Sequence, residues 1–306
     1  MRKLTASTTL AALLLTSQAF AQEEQEDQRT LKGHKFIYPV FSDSAFNSSH
    51  FNFSQGFVLT NVQNFRGKEK PLTVLGLEEK LYIGLRLHDR IGIFGSAQGY
   101  AVSGFRHSDF LYFFGENATR LEWGLNLIPY IDRNNGRQFG VQAKMERSSA
   151  NMLELDTQSL TFGLDAIDKL NNQVFSDTEV KMLGAGGSLN AAQAFGRHFS
   201  LQASVDLMSG RKTSESSKKG TPEVEKRYTK FGIGSAFTAD LMPYLPIGLQ
   251  AEYHLQALTD MPTVHFLGGG LYFTKKNDFT LGVGAGKQIV EGQNSTRGQA
   301  LVRYFF

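Results

Sequence analysis

Apolar and polar residues alternate one by one along much of this chain. In residues 81–88 every odd position is leucine or isoleucine, and the even positions carry tyrosine, glycine, arginine and histidine. The same period of two recurs in residues 121–127, 138–146, 199–207 and 247–256. Because successive side chains of a β-strand point to opposite faces, this period predicts strands with one apolar and one polar face.

The whole pattern predicts an all-β chain of about twelve antiparallel up-and-down strands, with ten or fourteen as alternatives. Tight turns, such as residues 132–137, alternate with longer polar connections at about residues 104–119, 148–178, 210–227 and 290–297. Because successive connections lie at opposite ends of an up-and-down barrel, all the tight turns fall at one end and the long connections at the other. An even strand number places both ends of the chain on the side of the tight turns. The predicted strands are residues 51–64, 79–88, 91–103, 120–131, 138–147, 179–194, 199–210, 228–241, 247–259, 264–274, 279–289 and 298–306.

The polar face of these strands bears on whether the chain is soluble or spans a membrane, since a soluble β-sandwich also alternates. That face is rich in glycine and carries charges of both signs. Such a composition is expected where the face lines a water-filled lumen and the apolar face meets lipid. Short turns at one end and long connections at the other are also typical of membrane barrels. We therefore predict a transmembrane antiparallel β-barrel.

The last predicted strand adds a more specific feature. Ala300, Val302, Tyr304 and Phe306 share one face, and phenylalanine is the final residue. In this the chain resembles bacterial outer-membrane β-barrel proteins, although no narrower family motif is present. The resemblance implies a location in the outer membrane of a Gram-negative (diderm) bacterium, among outer-membrane lipid and lipopolysaccharide. It also implies that the barrel-assembly machinery reads Phe306 as an assembly signal.

The chain before the barrel divides into two parts. Residues 1–21 have the positive start, apolar middle and small cleavage-site residues of a signal peptide. Residues 22–49 are predicted to form an N-terminal periplasmic segment, and its aromatic content suggests either a small plug or a loose segment at the rim. The barrel is predicted to occupy residues 50–306. In its longest outer loop, apolar spacing over residues 159–172 suggests a short helix, either folded over the pore or capping the rim.

Composition excludes several other classes of protein. The sequence has no cysteine, so neither a disulfide framework nor a thiolate metal site can form. The formal net charge is +3 and falls to +1 when the two basic residues of the signal peptide are removed, so a nucleic-acid partner is not expected. Beyond the signal peptide no apolar run is long enough for a membrane-spanning helix.

Charged residues on the predicted lumenal face are the candidates for a functional site. They could form an ion-pair network that fills the interior, or a constriction that selects solutes by charge. In a closed lumen, Glu252 is expected to face a basic partner such as Arg86 or Lys144. The candidates are Arg86, Glu122, Lys144, Asp206, Glu252, His254 and Arg303.

Signals for catalysis and for metal or cofactor binding are weak. His198 and Ser200 have the His-x-Ser spacing of outer-membrane lipid hydrolases, but they fall at a predicted periplasmic turn without an orienting partner. The histidines are scattered, and the glycine-rich stretches lie inside predicted strands without a phosphate-binding lysine. We therefore expect no enzyme activity, no catalytic residue, no metal and no cofactor.

The sequence favours a narrow or partly occluded channel for passive passage of small polar solutes. A structural or surface-interaction barrel with a closed lumen is the alternative, and an outer-membrane lipid hydrolase is the third possibility. The identity of the solute does not follow from the sequence.

Overall fold

A computed structural model describes residues 29–62, 72–106, 109–156, 175–216, 224–242, 244–290 and 293–306. Fourteen β-strands account for most of these residues. Within the same ranges, no helix combines the length and the apolar character that a bilayer span requires.

The strands form one small hairpin and one closed barrel. Strands β1 and β2 pair with each other, and β3 to β14 form an antiparallel barrel that closes where β14 pairs with β3. The prediction of a twelve-stranded up-and-down barrel is confirmed, and the alternatives of ten and fourteen wall strands are wrong. The strands are β1 Thr30–Leu31, β2 His34–Lys35, β3 His50–Val62, β4 Leu72–His88, β5 Ile91–Arg106, β6 Asp109–Asp132, β7 Arg137–Asp156, β8 Phe175–Phe195, β9 Phe199–Ser216, β10 Val224–Asp240, β11 Ile247–Leu258, β12 Val264–Phe273, β13 Phe279–Val290 and β14 Gln293–Phe305.

Several strands run further than the hydrophobic pattern predicts. Strand β6 begins at Asp109 rather than at residue 120, and β7 continues to Asp156 rather than ending at residue 147. Much of what the sequence suggests as long loops is therefore paired strand. The ladder continues because backbone hydrogen bonds need no apolar side chains, whereas the alternation stops where the strand leaves the apolar belt. The helix expected over residues 159–172 lies outside the described residues.

The two ends of the barrel differ. The connections after β4, β6, β8, β10 and β12 have two to six residues and all lie at one end, here called the short-turn end. At the other end the gaps between strands range from two residues, after β5 and after β13, to eighteen residues after β7, so the long connections expected at about residues 104–119 and 290–297 are wrong. Residues 29–49 and the C-terminus lie at this end as well, since β3 starts there and β14 finishes there. The opposite end is called the long-strand end. Gly136 and Gly196 adopt positive φ in two of the tight turns, where glycine is favoured because it has no Cβ.

The side chains divide as the alternation predicts. Large apolar residues such as Leu125 and Val205 are exposed on the outer face, with relative exposures of 49% and 43%. Polar residues such as Gln142, Gln202 and Glu252 are buried on the inner face. This inverted arrangement suits a wall between lipid and a polar interior.

Replacing Leu125 or Val205 with arginine should lower the free energy of unfolding by about 2–4 kcal/mol, because the charge would face hydrocarbon. Gln256→Arg is the matched control, since Gln256 lines the lumenal cavity and has polar surroundings. Refolding into lipid vesicles, followed by urea titration, measures both changes. Equal losses at the two kinds of site would show that the assignment of faces is wrong.

Phe306 stays the predicted assembly signal. Its ring stacks near that of Tyr304, with 6.3 Å between centroids, and its backbone N–H donates to the Ser49 carbonyl at 3.1 Å. We expect Phe306→Ser to leave secretion intact and to reduce the amount of heat-modifiable barrel in the membrane. Cell fractionation followed by unheated gel electrophoresis measures this amount, and an unchanged amount would remove the proposed role.

Candidate functional site in the lumen

Residues 29–49, here called the plug, lie inside the barrel at the short-turn end. Phe36 and Ala45 are completely buried, and Phe46 is 4% exposed. These side chains form an apolar cluster with the plug residues Leu31 and Tyr38 and with wall residues Ala192 and Ala194; Ile131 and Phe305 pack against it. The cluster fills the lumen beside Ala192 and Ala194, where β8 supplies only small side chains.

The hairpin at the start of the plug is fixed to the turns around it. The Lys32 N–H donates to the β6–β7 turn at 2.9 Å, and Lys35 Nζ donates to the β12–β13 turn at 2.7 Å. His34 Nδ1 lies 3.0 Å from a carbonyl oxygen of the β8–β9 turn. Burial lowers the pKa of His34, which favours the neutral ring. The hairpin thus connects three turns across the mouth.

The wall contacts the middle of the plug largely through the plug's backbone carbonyl groups. Five lumenal amide side chains, from four different strands, donate to these carbonyls. The bonds are Gln202 and Gln250 to Ile37 (2.7 and 3.1 Å), Gln142 to Ser44 (3.3 Å), Gln138 to Ala45 (2.6 Å) and Asn126 to Phe46 (3.0 Å). Amide donors satisfy buried carbonyls without adding charge.

Glu252 also contacts the plug backbone, and neither Arg86 nor Lys144 is its partner. Its carboxylate accepts hydrogen bonds from the N–H groups of Val40 and Phe41 at 3.0 to 3.1 Å. Arg86 instead pairs with Asp89 at the β4–β5 turn, at 3.0 Å. The plug backbone occupies the space in front of Glu252, so its carboxylate is satisfied by backbone N–H groups.

A partly buried ion pair joins the plug to the wall. Lys144 Nζ lies 2.7 Å from Asp43 Oδ2, and the Lys144 side chain is 5% exposed. Burial alone raises the pKa of Asp43, but the Lys144 ammonium outweighs it and lowers that pKa to about 2. Arg303 adds a weaker contact, since its guanidinium lies 5.1 Å from the centre of the Tyr38 ring.

A layer of charged wall residues lies beyond the plug. Arg120 bridges two carboxylates, and one of these also binds a lysine from β10. The pairs are Arg120–Glu122 (2.8 Å), Arg120–Glu146 (2.7 Å), Lys230–Glu146 (2.7 Å) and Arg297–Glu78. Only Glu122 of this layer is among the sequence candidates. The others share its face at alternate positions, but their pairing depends on which strands become neighbours.

A cavity of about 230 Å³ lies between the plug and the charged layer. Lys80, Asp206 and His254 line it and form no hydrogen bond or ion pair with any residue in the described part of the chain. Asp206 is 9% exposed and carries its carboxylate over Gly232. The structure therefore gathers six of the seven candidate charges in the lumen and leaves Arg86 at the rim.

Several glycines of the wall, among them Gly92 and Gly234, make room for the plug. A Cβ at Gly234 would overlap the Cβ of Ser42, and a Cβ at Gly92 would overlap the side chain of Asn47. Glycine on the polar face thus allows the plug to approach the wall closely, which the sequence pattern alone does not reveal.

The His-x-Ser pair has different surroundings from the lumenal charges. His198 lies in the β8–β9 turn with Nδ1 3.2 Å from the Asp240 carbonyl oxygen, while Ser200 is completely buried. Among the described residues, no three His, Asp or Glu side chains are grouped closely enough to hold a metal ion.

Comparison with known proteins identifies the fold class only. No protein-family model matches the chain, and no curated protein matches it. The translocator domain of autotransporter NalP from Neisseria meningitidis has a TM-score of 0.60 and 9% identity, with 98% of each chain covered. The transport unit of autotransporter AIDA-I from Escherichia coli has a TM-score of 0.51 and 11% identity, covering 93% of this chain and all of that one. The KdgM porin in complex with oligogalacturonate has a TM-score of 0.43 and 10% identity, covering 84% of this chain and 99% of that one.

The two similarities with TM-scores above 0.5 support the resemblance expected from the last strand. The two structures with the higher scores are transport domains of outer-membrane proteins. This chain has the fold of bacterial outer-membrane β-barrels, and no narrower family is indicated.

Seating of the plug should depend on pH through Asp43. Its pKa is lowered from 3.8 to about 2, so the ion pair stabilises the seated plug above the unfolded pKa of about 4 and loses its effect as pH falls through about 2. Protection of residues 29–49 against acid-stable protease should therefore persist at pH 4 and decline near pH 2. Lys144→Met leaves a buried carboxylate without a partner, so protection should already be weaker at neutral pH. A pH profile unchanged by this substitution would contradict the role of the pair.

Proposed function

We propose that this protein is an outer-membrane channel that passes small polar solutes when the plug moves away from the wall. The observation that carries the proposal is the combination of a charged cavity with a separate chain segment that closes it. The wall itself does not close the lumen at the short-turn end, because the side chains that fill it there belong mostly to residues 29–49.

The chemistry of the lumen supports polar rather than apolar solutes. The cavity wall carries lysine, arginine, aspartate, glutamate and histidine side chains, and three of these form no hydrogen bond or ion pair within the described residues. Both signs of charge are present, so the lumen offers contacts to anions and cations alike. Charges close to a passing solute act with little screening by salt.

The orientation follows from the two ends. We assign the short-turn end to the periplasm of a Gram-negative bacterium. This end contains the plug, the start of β3 and the finish of β14. The long-strand end would then face outward, as is usual for barrels with short periplasmic turns. The plug would close the channel from the periplasmic side.

A barrel with a permanently closed lumen is the second candidate. The completely buried Phe36 and the many hydrogen bonds to the plug backbone favour it, because both oppose release of the plug. In that case the protein would act through its long-strand end. Neither proposal assigns a catalytic residue.

Single-channel recording on two leucine variants distinguishes the two candidates. Gly234→Leu places a side chain where Ser42 lies, so it should unseat the plug and increase the frequency of open events at least severalfold. Gly99→Leu, on the outer face of β5, is the control for the glycine-to-leucine change itself, because a Cβ at Gly99 meets nothing within 4 Å. It should conduct like the unmodified protein.

The fold of each variant is checked by its heat-modifiable migration on gels. If folded Gly234→Leu exposes residues 29–49 to protease but remains silent in the bilayer, the channel proposal fails and the closed-lumen barrel stands. If it conducts while Gly99→Leu behaves as the unmodified protein, the plug is the gate.

A further inference from the structure

Three arginines lie side by side on the outer face near the long-strand end. Arg147 on β7 is opposite Leu183 on β8, Leu183 is opposite Arg211 on β9, and Arg211 is opposite Arg227 on β10. All four side chains are exposed. Since neighbouring strands lie about 4.8 Å apart, the arginine row (Arg147, Arg211 and Arg227) spans roughly 15 Å.

The row concentrates like charge in an unfavourable way for the isolated barrel. Arg211 and Arg227 are directly opposite each other, and like charges at such a position destabilise a sheet. Glu225 lies 3.2 Å from Arg211, but both side chains are more than half exposed, so this pair is worth little. Arg147 and Arg227 form no ion pair within the described residues. An external anion would remove this repulsion.

The position of the row indicates the kind of anion. On the side toward the short turns, the same strands expose Leu207 and Phe231 in one row and Leu189, Val205 and Ile233 in the next. These residues belong to the apolar belt, so the arginines lie at its edge, where lipid headgroups meet a membrane protein. Leu183, which is 53% exposed within the row, adds an apolar contact that a soluble anion would not use.

We propose that the arginine row binds a phosphate-bearing headgroup of an outer-leaflet lipid. Arginine matches phosphate because its planar fork donates two parallel hydrogen bonds, and two or three arginines can share the oxygens of one headgroup. The lipid's acyl chains would cover the belt below the row. This inference rests on the proposed outer-membrane location, but it is independent of whether the lumen conducts.

The single tryptophan provides a local probe of the site. Trp123 on β6 is the only tryptophan in the sequence, and it is opposite Met145, two residues from Arg147 on the same face. Its side chain is exposed on the outer face. A brominated lipid bound at the arginine row would therefore quench its fluorescence.

The experiment uses the full chain folded in phosphatidylcholine vesicles that contain a small fraction of brominated phosphatidate. We expect phosphatidate to quench Trp123 with roughly tenfold preference over brominated phosphatidylcholine, as a few charge-assisted hydrogen bonds would give. Replacing all three arginines with glutamine should abolish this preference. Lys287→Gln, which removes an exposed cation on the distant strand β13, is the matched control and should keep it.

The outcomes separate the possible causes. Equal preference in the triple variant and the unmodified protein would overturn the proposal, as would an equal loss in Lys287→Gln. Displacement of the brominated lipid by inorganic phosphate at constant ionic strength would assign the row to a soluble anion and overturn the lipid assignment. If the triple variant does not fold, Arg227→Gln alone should lower the preference severalfold, and no change there would also overturn it.

Lipid binding and conduction are tested independently. The folded variant in which all three arginines are glutamine should conduct like the unmodified protein, because the arginine row lies outside the lumen. A silent channel with intact phosphatidate preference would refute the channel and leave the lipid site.

Discussion

Closure of the backbone hydrogen-bond ladder is the constraint on which the rest of this structure depends. In hydrocarbon, each unpaired N–H or carbonyl group is costly, so a sheet must have no open edge. Pairing of β14 with β3, from Ser295 with Thr60 to Phe305 with His50, removes the last edge. Once the ring is closed, every strand has one face toward lipid and one toward the lumen, and the alternation of the sequence becomes obligatory.

Twelve strands also fix what the lumen must contain. An eight-stranded barrel is just wide enough for its side chains to fill, and the interior widens as strands are added. In a twelve-stranded barrel, inward side chains leave room that water or additional chain must occupy. In this protein the plug fills the short-turn end, and a cavity of about 230 Å³ remains beyond it. Because Gly92 and Gly234 have no Cβ, the wall comes close enough to the plug for direct contact.

The sequence predicts the features that depend on local order and misses those that depend on which strands become neighbours. Residues 81–88 alternate clearly, so their strand and its faces follow from the period alone. The Arg120–Glu146 pair and the amide bonds from Gln138 and Gln202 join distant parts of the chain, and no short motif records them. The sequence does not predict the contacts of Glu252 for the same reason, because the backbone N–H groups that bind it leave no signature in residue type. The extension of β6 to Asp109 rests on backbone pairing, which needs no alternation of apolar and polar residues, so the hydrophobic pattern does not predict it.

The contacts of the plug differ in how readily water can replace them, and this bears on how the plug could leave. Amide-to-carbonyl bonds are exchanged for bonds to water at a modest net cost, because each partner is solvated again. The apolar cluster around Phe36 and Phe46 has no such substitute, since exposing it to water costs free energy in proportion to its area. Asp43 and Lys144 are intermediate, because water solvates both charges once they separate. Release should therefore begin at the polar end near Asp43, beside the cavity lined by charged side chains, and the cluster at the short-turn end should open last. A channel built in this way can admit water around residues 40–44 while the hairpin still holds the mouth.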